Sequence, residues 1–234
     1  MRLEAHRMNH DLLFLPGLLC DDRLWRDQQA LFPAAVIADL TQDDHIDAMA
    51  YRAFALMPGR FALCGLSMGG YVALAMMRIA PERITRLCLF DTSARADTHE
   101  QQRRRRGLMA LTRGNRFRGV TPKLLPQLLH PDRLAEPEIT QDVLDMAARV
   151  GRDAFLRQQQ AILTRPDSRA DLPLFALPTI IAVGEQDALT PPNLAVEMAD
   201  TIPGARLRTI PHCGHLPPME QPEATNDILR EWLA

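Results

Sequence analysis

Lysine is almost missing from this chain: of 27 basic residues only Lys123 is not arginine. That bias excludes nothing by itself, because codon usage produces it as readily as chemistry does. The other shortages are more informative. Four cysteines (Cys20, Cys64, Cys88, Cys213) are too few and too scattered for a disulfide scaffold. Cys64 and Cys88 fall inside apolar runs, where a reduced, buried thiol is expected. No apolar run reaches the roughly 18–20 residues of a membrane span. "LLFLPGLL" is itself broken by Pro16 and Gly17. The N-terminal "MRLEAHRMNHD" is polar and leads into no signal-peptide pattern, so the expected location is cytoplasmic. Aromatic residues make up 5%, the net charge is −2 and the pI is near 6.4, and no nucleic-acid-binding motif is present, so nucleic acid is not an expected partner.

What is there suits a globular domain. Hydrophobic residues make up 47% of 234, enough for one domain with a proper core. Short apolar runs bounded by turn residues recur at 11–17, 34–40, 60–65, 86–91, 178–184 and 205–211. Their near-continuous apolar character is that of strands covered on both faces. Helical periodicity lies between several of them. After Ser67, residues Tyr71, Leu74, Ala75 and Ile79 share a face, and Pro81 stops the pattern. "PEATNDILREWLA" closes the chain as an amphipathic helix with Ala224, Ile228, Leu229 and Trp232 on one side. Strand alternating with helix predicts an α/β fold with a mostly parallel sheet of about six strands. The alternation fails over 93–172, which shows helical patterns, no convincing strand and an excess of arginine. It reads as a helical cap inserted between the fourth and fifth strands, with 1–92 and 173–234 forming the core.

Gly65-Leu-Ser67-Met-Gly69 fits G-x-S-x-G with a strand before and a helix after. A serine on so tight a turn needs glycines two residues to either side, so that strand and helix pass closely. Its hydroxyl then stands at the carboxyl end of the sheet, where such folds place their sites. The motif leaves two readings open, a nucleophile or a small residue in a turn. A serine nucleophile needs an imidazole to take its proton and a carboxylate to orient that imidazole. "PHCGHLPPMEQPE" offers His212 and His215 after the last strand, and "IIAVGEQDALTPP" offers Glu185 and Asp187 after the one before. The chain order Ser67, Asp187, His215 is one in which such triads occur. Asp91, closing "RLCLFD", is a second possible acid.

With "GLSMGG", "VGEQDALTPP" and "CGHLPPMEQPE" in these places, the sequence resembles the α/β-hydrolase fold family over nearly its whole length. The resemblance implies Ser67 as nucleophile, His215 (the Gly-His step) as base and Asp187 as orienting acid. His212 is left as a loop residue and Asp91 as a partner for backbone at the strand end. Backbone N–H groups of Met68 and of Leu18 form the implied oxyanion hole. Many relatives carry His-Gly where this chain has Pro16-Gly17, which puts the bracing of that loop in doubt. His-Cys-Gly-His lacks two further ligands at zinc spacing, so no metal and no cofactor are expected.

Ser-His-Asp with an oxyanion hole means acyl transfer, most simply hydrolysis of a small-molecule carboxylic ester. The fold does not choose the substrate. Leu18, Leu19, Met68, Leu108, Met109, Leu111, Leu128, Leu129 and Phe155 are the candidate pocket residues, apolar and suited to a short or medium acyl chain. No charged pair dedicated to a charged substrate is visible. The run Arg103, Arg104, Arg105, Arg106 is either a solvated helix face or a docking patch for an acidic carrier protein or its phosphate. In general plan the chain resembles small esterases that release methyl esters from carrier-bound acyl groups. Other readings are a lyase, a carbon–carbon bond hydrolase, a lactonase or a perhydrolase using the same triad, and a non-catalytic receptor. A dehalogenase would place a carboxylate where Ser67 stands.

Overall fold

Alternation along each apolar run decides the layering. Leu13, Leu15, Leu63, Leu87, Leu89, Ile181 and Val183 face one core, while Leu12, Phe14, Ala62, Cys64, Cys88, Phe90, Ile180 and Ala182 face another. Both faces are apolar, so both must be covered. A computed structural model describes residues 11–234; the polar N-terminal residues 1–10 lie outside the described residues. Six strands form: β1 (Leu12–Leu15), β2 (Val36–Ile37), β3 (Phe61–Leu66), β4 (Ile84–Phe90), β5 (Thr179–Gly184) and β6 (Arg206–Ile210). They make one parallel sheet in the order β2-β1-β3-β4-β5-β6. The 34–40 run keeps only two residues of pairing, at the sheet edge.

Eight helices join them: α1 (Arg26–Leu31), α2 (Ile46–Ala55), α3 (Met68–Ile79), α4 (His99–Leu111), α5 (Pro137–Thr164), α6 (Pro192–Thr201), α7 (Pro217–Glu220) and α8 (Pro222–Leu233). Buried residues of α2, α3 and α6 pack on one face. Ile228, Leu229 and Trp232 of α8, with Trp25, pack on the other. Burying each leucine contributes about 1.5–3 kcal/mol, so these two layers carry most of the fold's stability. Cys64 and Cys88 are free, buried and paired in register between β3 and β4. Burial pushes the Cys64 thiol well above its ordinary range, the behaviour of a core residue.

Two features position the site. The chain runs outward from β1 to β2, then returns to β3 and continues the other way. The switch point therefore lies between β1 and β3, and open α/β sheets leave a crevice beyond the strand ends at that place. Between β4 and β5 the chain makes α4, α5 and short turns around Leu125–Gln127 and Pro131–Ala135, without a strand. α5 is interrupted at Gly151, which takes φ 78°, a left-handed value that glycine adopts without steric cost.

Candidate active site

Ser67 sits between β3 and α3 with φ 54° and ψ −114°, a strained conformation for a residue with a side chain. The crowding is in the flanking glycines. A Cβ on Gly69 would lie 2.1 Å from the Leu15 carbonyl oxygen, and one on Gly65 would lie 2.5 Å from the Gly69 carbonyl oxygen. Both clash with backbone, which cannot move aside. Hydrogen bonds hold the turn: the Ser67 N–H donates to Phe90 O (3.0 Å), and Ser67 O accepts from the Gly70 N–H (2.9 Å) and the Thr92 hydroxyl (2.7 Å).

The loops after β5 and β6 meet this turn. His215 Nε2 lies 2.9 Å from Ser67 Oγ, and His215 Nδ1 lies 2.8 Å from Asp187 Oδ2. His215 and Asp187 are both 3% exposed. Asp187 also accepts from the Thr190 hydroxyl (2.6 Å) and from the N–H groups of Leu189 and Thr190. Burial works to raise its pKa. The charge of His215 and the hydrogen bonds from His215, Thr190 and Asp91 outweigh burial and hold the carboxyl below the usual range. Glu185 is exposed and outside this set. His212 is exposed as well, on a loop with φ 51°.

The histidine loop is fastened by a residue the sequence reading passed over. Glu220, 1% exposed, accepts the N–H groups of Gly214, Leu216 and His130. The His215 N–H donates to Leu128 O (2.8 Å). Asp91, at φ 44°, accepts the Gly184 N–H at Oδ1 (2.9 Å), while no donor among the described residues reaches its buried Oδ2. That agrees with its expected backbone role and adds a carboxyl beside Asp187.

Across the crevice, the loop after β1 runs against the serine. A Cβ on Gly17 would meet Ser67 Cβ at 3.5 Å. The bracing left in doubt by the missing histidine comes from Gln158 on α5. Its Oε1 accepts the Leu19 N–H (3.1 Å) and its Nε2 donates to Leu40 O (3.1 Å), with the side chain fully buried. Met68 is the first residue of α3, so its N–H has no carbonyl within the helix to bond. Cys20 borders the same space, but burial, with the Asp21 charge adding to it, pushes its thiol up to about 12, a setting that disfavours the thiolate.

A cavity of about 560 Å³ opens over Ser67, a size usual for small-molecule sites. Leu18, Leu19, Leu108, Leu128 and Phe155 line it. Met68, Met109, Leu111 and Leu129 do not, which corrects the sequence reading; Met68 is buried in the core beneath α3. One residue along a helix turns the side chain about 100°, so Leu108 faces the cavity while Met109 is buried elsewhere and Leu111 is exposed. Leu129 packs into the core below. Nor is the cavity wholly apolar. Gln101, Arg104, Arg105 and Leu108, at i, i+3, i+4 and i+7 of α4, all face it.

The arginine run is thereby divided. Arg105 and Arg165 both pair with Asp97, whose side chain is 1% exposed, and Arg95 pairs with Glu197. Among the described residues Arg104 bonds only the neutral Gln127 (3.1 Å) and has no acid as a hydrogen-bond or ion-pair partner. Arg103 and Arg106 are exposed and do not line the cavity. Among the described residues no helix is long and apolar enough to cross a membrane.

Known proteins resemble this chain throughout. Residues 12–228 match the model of a family described as the alpha/beta hydrolase family. A pimeloyl-[acyl-carrier protein] methyl ester esterase of Nitrosomonas europaea is 31% identical over 194 residues, 77% of this chain and 74% of that protein. A thermophilic esterase from Thermogutta terrifontis superposes with a TM-score of 0.87 at 31% identity, covering 96% of this chain and 89% of the other. The enol-lactonase from Burkholderia xenovorans LB400 superposes with a TM-score of 0.84 at 22% identity, over 97% and 93% of the two chains, a likeness of fold.

Proposed function

The chain belongs to the alpha/beta hydrolase family, and from that premise we propose that it is a serine esterase cleaving carboxylic esters through an acyl-enzyme. The observation that carries the reading is the unbroken line of hydrogen-bonding distances from Ser67 Oγ to His215 to Asp187, buried at the floor of a cavity open to small molecules. Ser67 Oγ attacks the ester carbonyl carbon as His215 Nε2 takes the hydroxyl proton. Asp187 holds His215 in the tautomer whose Nε2 is free to accept it and stabilises the imidazolium that forms. Negative charge then develops on the former carbonyl oxygen. The Leu18 and Met68 N–H groups are the donors assigned to it, each worth about 3–4 kcal/mol in the transition state. His215 returns its proton to the departing alcohol, leaving Ser67 acylated. Water, deprotonated by the same imidazole, releases the acid and restores the serine.

The β4–β5 segment acts as a cap in this scheme. Its apolar residues Leu108, Leu128 and Phe155 suit a short or medium acyl chain. A narrower reading, hydrolysis of a methyl ester on an acyl group carried by an acidic carrier protein, has two supports. One is the activity for which the Nitrosomonas relative is named. The other is Arg104, a cavity-facing guanidinium with no acid partner among the described residues, able to meet a phosphate or carboxylate at the far end of a substrate.

Turnover of p-nitrophenyl esters of graded chain length by wild type and Ser67→Ala tests the general proposal. The expected result is turnover by wild type, with the variant at background. Turnover unchanged in the variant overturns the assignment of Ser67. Inactivity of wild type on every ester, with activity on a lactone or a diketone, moves the reaction to those classes.

A further inference from the structure

Among the described residues, one cluster of metal-ligating side chains lies outside the candidate active site. His130 and Asp132 open the turn at Pro131–Ala135 in the β4–β5 segment, and His212 lies on the loop after β6. Eighty residues separate the two stretches, which is why the sequence around His212 showed no third or fourth ligand. In the fold, one ligand atom from each lies within 4.8 Å of the others. Asp132 Oδ2 stands 3.4 Å from His130 Nδ1 and 3.6 Å from His212 Nδ1, and the two rings meet edge-on with centroids 5.5 Å apart.

The two spacings from Asp132 to the histidines are close to those of a known coordination shell. Zinc bound at about 2.0–2.1 Å by tetrahedrally disposed ligands separates neighbouring ligand atoms by about 3.3–3.5 Å. Two imidazole nitrogens and one carboxylate oxygen are the donor types of a borderline cation, and unsuited to calcium or magnesium, which prefer oxygen alone. Asp132 and His212 are largely exposed, so an ion reaches them from solvent, while the His130 ring is mostly enclosed and fixed in place. One contact must give way. His130 Nδ1 accepts the Asp132 N–H at 3.2 Å, a long bond at the start of a turn, where water replaces it readily.

We propose that His130, Asp132 and His212 form a zinc site, with water in the fourth position, that ties the β4–β5 segment to the loop carrying His215. Two hydrogen bonds already join these parts, from the His215 N–H to Leu128 O and from the His130 N–H to the Glu220 carboxylate. The ion adds a third, three residues before His215. Because it binds the assembled segments and not the unfolded chain, it raises thermal stability. This inference does not depend on the esterase reading.

The test is zinc binding by chelator-treated full-length protein, measured by equilibrium dialysis and thermal denaturation, with cobalt(II) as a spectroscopic probe. His212→Asn and Asp132→Asn are the variants; asparagine tolerates the left-handed backbone at 212. Wild type is expected to bind one zinc ion at micromolar concentration, to melt at higher temperature with zinc, and to give the visible absorption of tetrahedral cobalt. Each variant is expected to weaken binding by at least an order of magnitude while leaving metal-free turnover of a neutral ester unchanged. No binding by wild type, or binding of equal strength in both variants, overturns the site. Equal binding accompanied by complete loss of turnover would put the ion at Asp91, Asp187 and His215 instead, the other such cluster among the described residues.

Discussion

Asp91 and Asp187 stand side by side behind His215, and the same buried setting pushes their acidities apart. Burial, then the Asp187 charge, raises the Asp91 carboxyl well above the usual range. Asp187 is held below that range by His215 and its hydrogen bonds, Asp91 among them. Two adjacent carboxylates cannot both ionise cheaply, so Asp91 keeps its proton and offers it to Asp187. Above the ordinary carboxylate pKa of about 3.9 the unfolded chain releases this proton and the folded chain keeps it, so wild type loses stability as pH rises, by up to about 1.4 kcal/mol per pH unit, until Asp91 itself ionises. Asp91→Asn, neutral throughout, escapes that loss. Denaturant unfolding at several pH values should show the variant gaining on wild type as pH rises; a pH-independent difference would mean that Asp91 is ionised.

Gln158 is assigned the bracing of the loop after β1. Gln158→Leu leaves the buried Leu19 N–H and Leu40 O without their partner, at about 1–3 kcal/mol each. Lower melting temperature is one expectation. Because the neighbouring Leu18 N–H is assigned to the transition state, kcat should fall more than KM rises. A change confined to KM would detach the glutamine from the oxyanion hole.

Glu220→Gln tests the fastening of the histidine loop. Both carboxylate oxygens accept N–H groups, and an amide nitrogen in either place meets a donor with a donor. The expected cost is about 2–4 kcal/mol of stability, read by urea unfolding, with lower turnover because His215 lies between Gly214 and Leu216. Unchanged stability would show that the loop is held by other contacts.

Arg104→Ala separates the two substrate readings. On neutral p-nitrophenyl esters it should match wild type. For a carrier-linked or anionic ester KM should rise about 10- to 100-fold, the worth of one charge-assisted hydrogen bond, and the wild-type advantage should shrink in high salt. An equal effect on neutral and anionic esters would make Arg104 a packing residue.

Much of this architecture was legible from the sequence because its signals are local. Six apolar runs, a serine between glycines and a Gly-His step near the C-terminus are each contained in a dozen residues, and the chain order links them. The rest depends on contacts that span the chain. Gln158 meets Leu19 across 139 positions, and nothing in "FLRQQQAIL" distinguishes it from its neighbours. Arg105 is tied to Asp97 and Arg104 to no acid among the described residues, although the two are adjacent and alike in sequence. Helical phase decided Leu108 against Met109 for the cavity, and phase shifts with a single residue's error in where α4 begins.

The Cβ of a residue at Gly69 would lie 2.1 Å from Leu15 O, and this divides the cavity into two kinds of wall. Beneath the substrate, backbone abuts backbone, and even a methyl group added at Gly65 or Gly69 has nowhere to go. Overhead, α4 and α5 present side chains that can change without disturbing a strand. A lineage adapting this protein to a new ester would therefore leave the floor untouched and record its history in the roof, where differences among relatives should track what each one cleaves.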